Sequence, residues 1–416
     1  MKINWTKAIG LTAAAAMLLP LAACGSSNNS SAQSNGSTEE VTLSVWAPQE
    51  DQAKDNNWLE KTEKAFEKAH SEYKITWKND VVSEADAADT VEKDPSAAAD
   101  VYMFANDQLG RLVDAGAIGQ VGTNELKQVK KQNTQTLIDS VSNDGKVYGV
   151  PYTTNTWFMY YDKSVFSADD IKSLDTMLSK AKVAFPMTNG WYLQALLTKS
   201  ADLTFFGDGT DASKGITVDK DKLTAATKYL VSVANNPNFV LDNENSGLSD
   251  LQAGNVKAYF SGSWDAKNVK EALGKNYGAA ALPTYSVDGK SYQMQAFAGS
   301  KAAAYNPNAK NQKAAAQFAA FLGSSESQKS HYDMREVIPS DKTLTASDAF
   351  KNNELVQAQN TVFNEQSLIQ PTISAMNSWW DSAQAYGESI TNKQTTADNA
   401  AEKAAAWADQ LAAMNK

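Results

Sequence analysis

The 416-residue sequence predicts an α/β protein of two domains or lobes, and three observations carry the prediction. From Val41 onward, apolar residues recur with a period of two, then of 3.6, in the order strand, helix, strand, helix, strand, the signature of a parallel sheet covered by helices. About 376 residues lie beyond position 40, more than one hydrophobic core usually serves. No period of 20 to 50 residues recurs, so a repeat array is not expected.

The first 40 residues stand apart from that body. Lys2 and Lys7 precede the uncharged run "AIGLTAAAAMLLPLAA", which ends at Cys24, the only cysteine of the chain. A basic start, an apolar middle and small residues at the cut form a secretory signal. The run falls short of the ~20 apolar residues that span hydrocarbon, and it contains Gly10 and Pro20. Leu21-Ala22-Ala23-Cys24 resembles the lipobox of bacterial lipoproteins, which implies a diacylglyceryl thioether on Cys24 and cleavage before it. Two acyl chains, at about 0.8 kcal/mol per buried CH₂, anchor where one is marginal. Residues 1–23 are therefore read as the signal peptide, and residues 24–40, rich in Ser, Asn and Gly, as a flexible tether.

In the body, "VTLSVWA" (Val41 to Ala47) alternates as a strand, and Trp58, Leu59, Thr62, Phe66 and Ala69 follow at helical spacing. "YKITWKND" and "ADVYMFAND" are the next two strands, the second leading into the helix "DQLGRLVDAGAI". Asn143-Asp144-Gly145 predicts a hairpin turn within Val141 to Tyr152. Beyond it the chain is more helical, with apolar stripes over Leu223 to Ala234, Lys313 to Leu322 and the alanine-rich C-terminus. In "NSWWDSAQAYGESI", Trp379, Ala383, Tyr386 and Ile390 share one helical stripe, while Trp380, Gln384 and Gly387 lie about 100° away. Trp379 is expected in the core and Trp380 in a cleft.

Absences prune the chemistry. The formal net charge is −10 and becomes −12 once Lys2 and Lys7 are removed, which disfavours nucleic acid. One cysteine committed to lipid and two histidines cannot build the usual zinc site, and His70 and His331 both read as solvated surface residues rather than members of a catalytic triad. No nucleotide-binding glycine motif follows a strand, so no cofactor is expected. "FGDGTD" (Phe206 to Asp211) lacks the spacing of a calcium loop and reads as a turn, with a cation site as the minor alternative, so no metal is expected.

Tryptophans are plentiful, ten in all. Trp58, Trp77 and Trp407 fall within periodic patterns and read as core, whereas Trp157, Trp191, Trp264 and Trp380 are bordered by Asn, Gly, Ser and Asp. An indole face rimmed by short hydrogen-bonding groups suits a sugar ring, which offers C–H patches for stacking and hydroxyls for pairing.

Seven segments, among them "ADVYMFANDQLGRLVDAGAI", "GKVYGVPYTTNTWFMYYDKSVF", "LQAGNVKAYFSGSWD" and "IQPTISAMNSWWDSAQ", resemble in sequence and order the solute-binding lipoproteins of bacterial ABC importers, specifically the maltose/maltodextrin-type sugar-binding proteins. The resemblance implies a periplasmic-binding-protein-like fold: two α/β lobes joined by hinge strands, with a ligand cleft between them. It places residues 41–153 with 297–346 in the N-terminal lobe and 154–296 with 347–416 in the C-terminal lobe. By matching motifs it implies ligand contacts from Asp107, Phe104, Gln49 and Glu50, stacking by Trp264 and Trp380, and an aromatic contact from Trp191. Where maltose-type proteins carry acids this chain has Asn155 and Asn189, and Gln384 stands at a usual arginine, so hydroxyl orientation is expected to differ. The implied ligand is maltose, a maltodextrin or another glucose-containing oligosaccharide, captured with lobe closure at micromolar affinity, roughly −8 kcal/mol. Permease subunits are the implied partners, and a monomer held to the membrane by its N-terminal lipid alone is expected. The competing reading is a lipid-anchored glycosidase or lyase, which needs two carboxyl groups about 5 to 9.5 Å apart. Metal capture suffers from the shortage of His and Cys, and peptide capture from the lack of charged partners for the termini.

Overall fold

The computed structural model describes residues 38–55, 57–243 and 246–414. The signal segment, Cys24 and the tether as far as residue 37 lie outside the described residues. Among those described, no helix is long and apolar enough to cross a membrane.

β1 (Glu39–Ala47) buries Val41, Leu43, Val45 and Ala47 on one face, the alternation that its sequence predicts. α1 (Trp58–Ala69) starts where the Asn57 side chain accepts a hydrogen bond from the Glu60 N–H, and it buries Trp58, Leu59 and Phe66. β2 (Tyr73–Val81) and β3 (Val101–Ala105) both run parallel to β1, so the expected βαβ arrangement is present. β3 leads through one 3₁₀ turn into α2 (Leu109–Asp114). The predicted hairpin follows, pairing Ser142–Asn143 with Lys146–Val147. Asp144 and Gly145 both have positive φ there, 48° and 74°, as a type I′ turn requires.

The chain continues through β4 (Val150–Asn155), β5 (Phe158–Asp162), β6 (Val183–Phe185), the short α3 (Gly190–Leu193) and α4 (Lys220–Ala234). Next come β7 (Phe239–Leu241), β8 (Ala258–Ser261), α5 (Ala266–Leu273), β9 (Tyr277–Ala280) and β10 (Ala296–Tyr305). α6 (Gln312–Leu322), α7 (Ser325–Arg335), α8 (Glu354–Glu365), β11 (Ser367–Ile369), α9 (Asn377–Thr391) and α10 (Ala400–Met414) complete the elements that matter here.

The strands form two principal sheets. The first has the order β11-β10-β3-β1-β2, with β4 also paired to β10; the second has the order β7-β6-β8-β5-β9. Side-chain alternation along β3 divides the apolar residues flanking the first sheet. Val101 and Met103 join Leu43, Phe66 and Phe318 in one cluster, and Tyr102 and Phe104 join Leu109, Leu112 and Ile138 in another. A third, larger cluster surrounds the second sheet, including Phe158, Phe185, Phe260, Trp379 and Trp407.

β10 changes partner along its length. Residues 296–298 run parallel to β11, residues 299–303 pair with β4 across an irregularity between Lys301 and Ala302, and residues 301–305 pair antiparallel with β3. Thr156, just past β4, donates to the carbonyl of Phe297 at 2.9 Å, tying the β4–β5 crossing to the start of β10.

α9 turns the predicted stripe inward: Trp379, Ala383, Tyr386 and Ile390 are all buried. The Tyr386 ring stacks on Trp407 of α10 at 3.8 Å, and the Trp407 indole N–H donates to Ser382. Gly387, expected on the outer stripe with Trp380, is buried instead. A side chain there would meet the backbone of Met187, because α9 is covered by packed elements over more than one stripe.

Candidate functional site

Chain segments attached to both sheets line one small, partly open cavity with a volume of about 20 Å³. From the first come Glu50, Asp51, Glu84, Tyr152, Thr153, Lys301, His331 and Arg335; from the second come Ser263 and Trp264, which follow β8. Trp264 is placed by its own turn. A Cβ at residue 262 would lie 2.0 Å from the six-membered ring of this indole, so only glycine admits it, and the Gly262 carbonyl is fixed by the Tyr160 hydroxyl at 2.8 Å.

The polar side of the cavity is an ordered charge network. Tyr152 donates to Glu84 at 2.5 Å, Lys301 lies 3.3 Å from the same carboxylate oxygen, and the Lys301 ammonium sits over the Trp264 ring, 4.8 Å from its centroid. Burial opposes the charge on Lys301, but Glu84, Glu50 and Asp51 together more than compensate and raise its pKa. Burial pushes the Glu50 carboxyl up as well, and the neighbouring Glu84 adds to the shift.

Beside this network, His331 contradicts its reading as a solvated residue. It is 2% exposed, its Nε2 lies 2.7 Å from Asp51, and its ring stacks on Trp58 at 3.8 Å. The correction has a plain cause. α7 buries a polar face, Ser327, Gln328, His331 and Arg335, which in sequence resembles a solvated one. His70 is half-buried, its ring 4.3 Å from Phe66 and its Nδ1 3.1 Å from Glu72.

A second group adjoins the first through Trp191, whose ring centroid is 6.2 Å from that of Trp264. The Trp191 indole N–H donates to Gln370 Oε1 at 2.8 Å, and the Gln370 amide faces Asp107. Burial pushes the Asp107 carboxyl up to about 6; a backbone N–H and the Gln370 amide, then the charges of Arg111 and Lys301, pull the other way. Asp107 Oδ1 and Gln370 Nε2 are both sealed from solvent, and although the amide faces the carboxylate closely enough to lower its pKa, neither atom completes a full hydrogen bond. Such orphaned atoms are costly unless something else satisfies them.

The remaining expected residues scatter. Asn155 is buried on β4 opposite Gly299. Gln49 is exposed and lines a shallow groove with Val81, Val82 and Ser83 that adjoins the cavity through Pro48 and Glu50. Trp380 is half-buried with its edge against Phe297, outside the lining of the Trp264 cavity. Phe104, expected beside the cleft, is fully buried in the apolar cluster that contains Leu109 and Ile138, because strand alternation turns it inward there. Trp157 is likewise core, its ring against Phe185, Tyr192 and Phe260. Asn189 is exposed and its side chain caps α3, accepting from the Trp191 N–H at 2.9 Å. Gln384 is exposed on α9 and donates to Glu388 one turn on.

Sequence reasoning missed Glu84, Tyr152, Lys301, Arg335 and Gln370. One signal was available: Lys301 is the only charged residue in the ten-residue strand "AFAGSKAAAY", where a lone cation invites a functional explanation.

Two mixed sheets whose attached segments line one cavity, with Trp264 against a buried charge network, have the architecture of a binding protein. The chain belongs to the bacterial extracellular solute-binding protein family, whose model matches residues 61–358. It is 30% identical over 398 residues to a maltooligosaccharide ABC transporter solute-binding lipoprotein of Streptococcus pneumoniae, covering 91% of this chain and 90% of that one. A solved structure with acarbose is 46% identical and superposes with a TM-score of 0.86 over 89% of this chain and 98% of its own. The maltodextrin-binding protein MalE1 from L. casei, solved without ligand, is 28% identical with a TM-score of 0.77 over 89% of this chain and 99% of its own. The chain is a binding protein of this family and not an enzyme.

Proposed function

We propose that this protein captures a maltooligosaccharide outside the cell and delivers it to an ABC importer. The observation that carries the reading is the alignment of Trp264, Trp191, Gln370 and Asp107. Two indoles lie within stacking distance of one another, beside a buried carboxylate oxygen and a buried amide nitrogen that face each other without completing a full hydrogen bond. A pyranose supplies the missing partners, C–H faces for the rings and hydroxyls for the carboxylate and the amide. Relatives named for maltooligosaccharide, and structures with maltopentaose and acarbose, support the same ligand class. Titrating maltose through maltopentaose, a galactooligosaccharide and acarbose against tryptophan emission tests it. Saturable signals at micromolar concentration are expected with the glucose-containing sugars. Silence with every glycan, together with a response to a peptide or amino acid, overturns the assignment.

In this reading the chain forms two interleaved lobes, 41–153 with 297–346 and 154–296 with 347–416, and β11 of the second is paired to β10 at the edge of the first sheet. Contacts on both are satisfied together only when the cleft closes, so ligand shifts the population toward the closed form. Delivery requires permease subunits, and Cys24 lipidation would keep a monomeric receptor beside them.

Asp107 makes the capture pH-dependent. With its carboxyl titrating near 6, ligand hydroxyls that donate to it favour the ionised form. Affinity is then full above that pH and declines as the group protonates below it. Lowering the pH from 7 to 5 is expected to raise Kd several-fold in calorimetric titrations, and the step should vanish in Asp107→Asn.

A further inference from the structure

We propose that Lys301 is a built-in competitor for the sugar site: its ammonium occupies the Trp264 surface on which a pyranose would stack, and ligand must displace it. The inference deepens the sugar-capture reading and rests on it.

The geometry gives Lys301 two attachments on opposite sides of the cleft. On its own side, Glu84 holds the ammonium at 3.3 Å and is in turn fixed by the Tyr152 hydroxyl. Glu84 moves with the first sheet, since its carbonyl accepts from the N–H of Ala105 at the end of β3. On the other side the ammonium lies over the Trp264 indole, which belongs to the turn after β8. An indole face attracts a cation through its quadrupole, and the attraction grows when water is excluded. The Lys301 side chain is 15% exposed and Glu84 6%, so the contact is largely desolvated.

A neutral sugar ring must therefore replace a cation–π contact before it can gain its own stacking. Glu84 and Glu50 stay on the Lys301 side and keep the ammonium solvated by charge when it withdraws. The residue thereby sets a threshold: weakly stacking solutes do not displace it, and longer glucose oligomers do.

The test is the Kd of maltotetraose measured by calorimetry for the wild type, Lys301→Met and Lys301→Arg. Methionine keeps the length and removes the cation, so Kd is expected to fall about five- to twenty-fold, the strength of a partly desolvated cation–π contact. Arginine keeps the cation and lies flat on the ring, so Kd is expected to stay level or rise. An unchanged or higher Kd in Lys301→Met, with wild-type binding intact, overturns the competitor role and leaves sugar capture standing. Absence of wild-type binding to any maltooligosaccharide overturns both. Should Lys301→Met fail to fold because Glu84 loses its partner, the double variant Lys301→Met/Glu84→Gln removes both charges. It must also bind more tightly than the wild type, and equal or weaker binding overturns the role.

Discussion

Replacing Trp264 by alanine is expected to raise the Kd for maltotetraose by about 100-fold while shifting the melting temperature by only a few degrees. A pyranose lying on an indole removes on the order of 80 Å² of apolar surface from water, worth ~2 kcal/mol at ~25 cal/mol per Å². The aromatic geometry adds about 0.5–1.5 kcal/mol, and every 1.4 kcal/mol is roughly tenfold in affinity. Stability is spared because Trp264 is only half-buried and Lys301 keeps its Glu84 partner when the ring is gone. Calorimetric titration with a thermal melt on the same sample checks both halves. A Kd within threefold of the wild type removes Trp264 from the site.

The adjacent pair on α9 should divide the two kinds of effect. Trp379 is fully buried, donates its indole N–H to the Gly190 carbonyl at 3.1 Å and meets Phe205 edge-on and Trp407 at a tilt. Trp379→Ala opens a large cavity and strands that carbonyl, so it is expected to cost about 3–5 kcal/mol. For a chain of this size that lowers the melting temperature by on the order of 10 °C. Trp380→Ala, one residue on and half-buried against Phe297, is expected to change stability by less than ~1.5 kcal/mol and, if the ring reaches a longer glycan beyond the Trp264 cavity as its motif implies, to weaken maltotetraose binding about tenfold. Denaturant unfolding and calorimetry on the two variants decide the matter. Equal destabilisation by both would refute the division, and unaltered affinity in Trp380→Ala would withdraw that ring from ligand contact.

The parts of the fold that were legible in sequence are those whose burial follows a simple period. β1 alternates, α1 carries its stripe from Trp58 to Phe66, and the hairpin has the two residues that tolerate positive φ. α7 was illegible in function because its inward face is polar, so His331 looked solvated while in fact bonding Asp51, with Arg335 buried beside it. β10 shows no alternation, being small and buried on both faces, and only its lone lysine marked it. Trp191, Trp264, Glu50 and Asp107, named by motif from distant parts of the chain, lie in one neighbourhood of the fold. Asn189 and Gln384 are used differently, because a polar residue next to an aromatic can equally be a helix cap or a surface partner. Local composition carries no information that separates those uses. Gln370 is reached only through folding, since 179 residues separate it from the indole it binds.

The partner change along β10 also fixes what can move at Lys301. Its backbone is paired on both edges, to Thr153 of β4 and to Ala105 of β3, beside the irregularity that follows it. The main chain is thereby clamped from two directions, and only the flexible four-carbon stem is free to carry the ammonium. Travel of the charge is limited to the reach of one side chain, so the position behaves as a latch on a fixed mount.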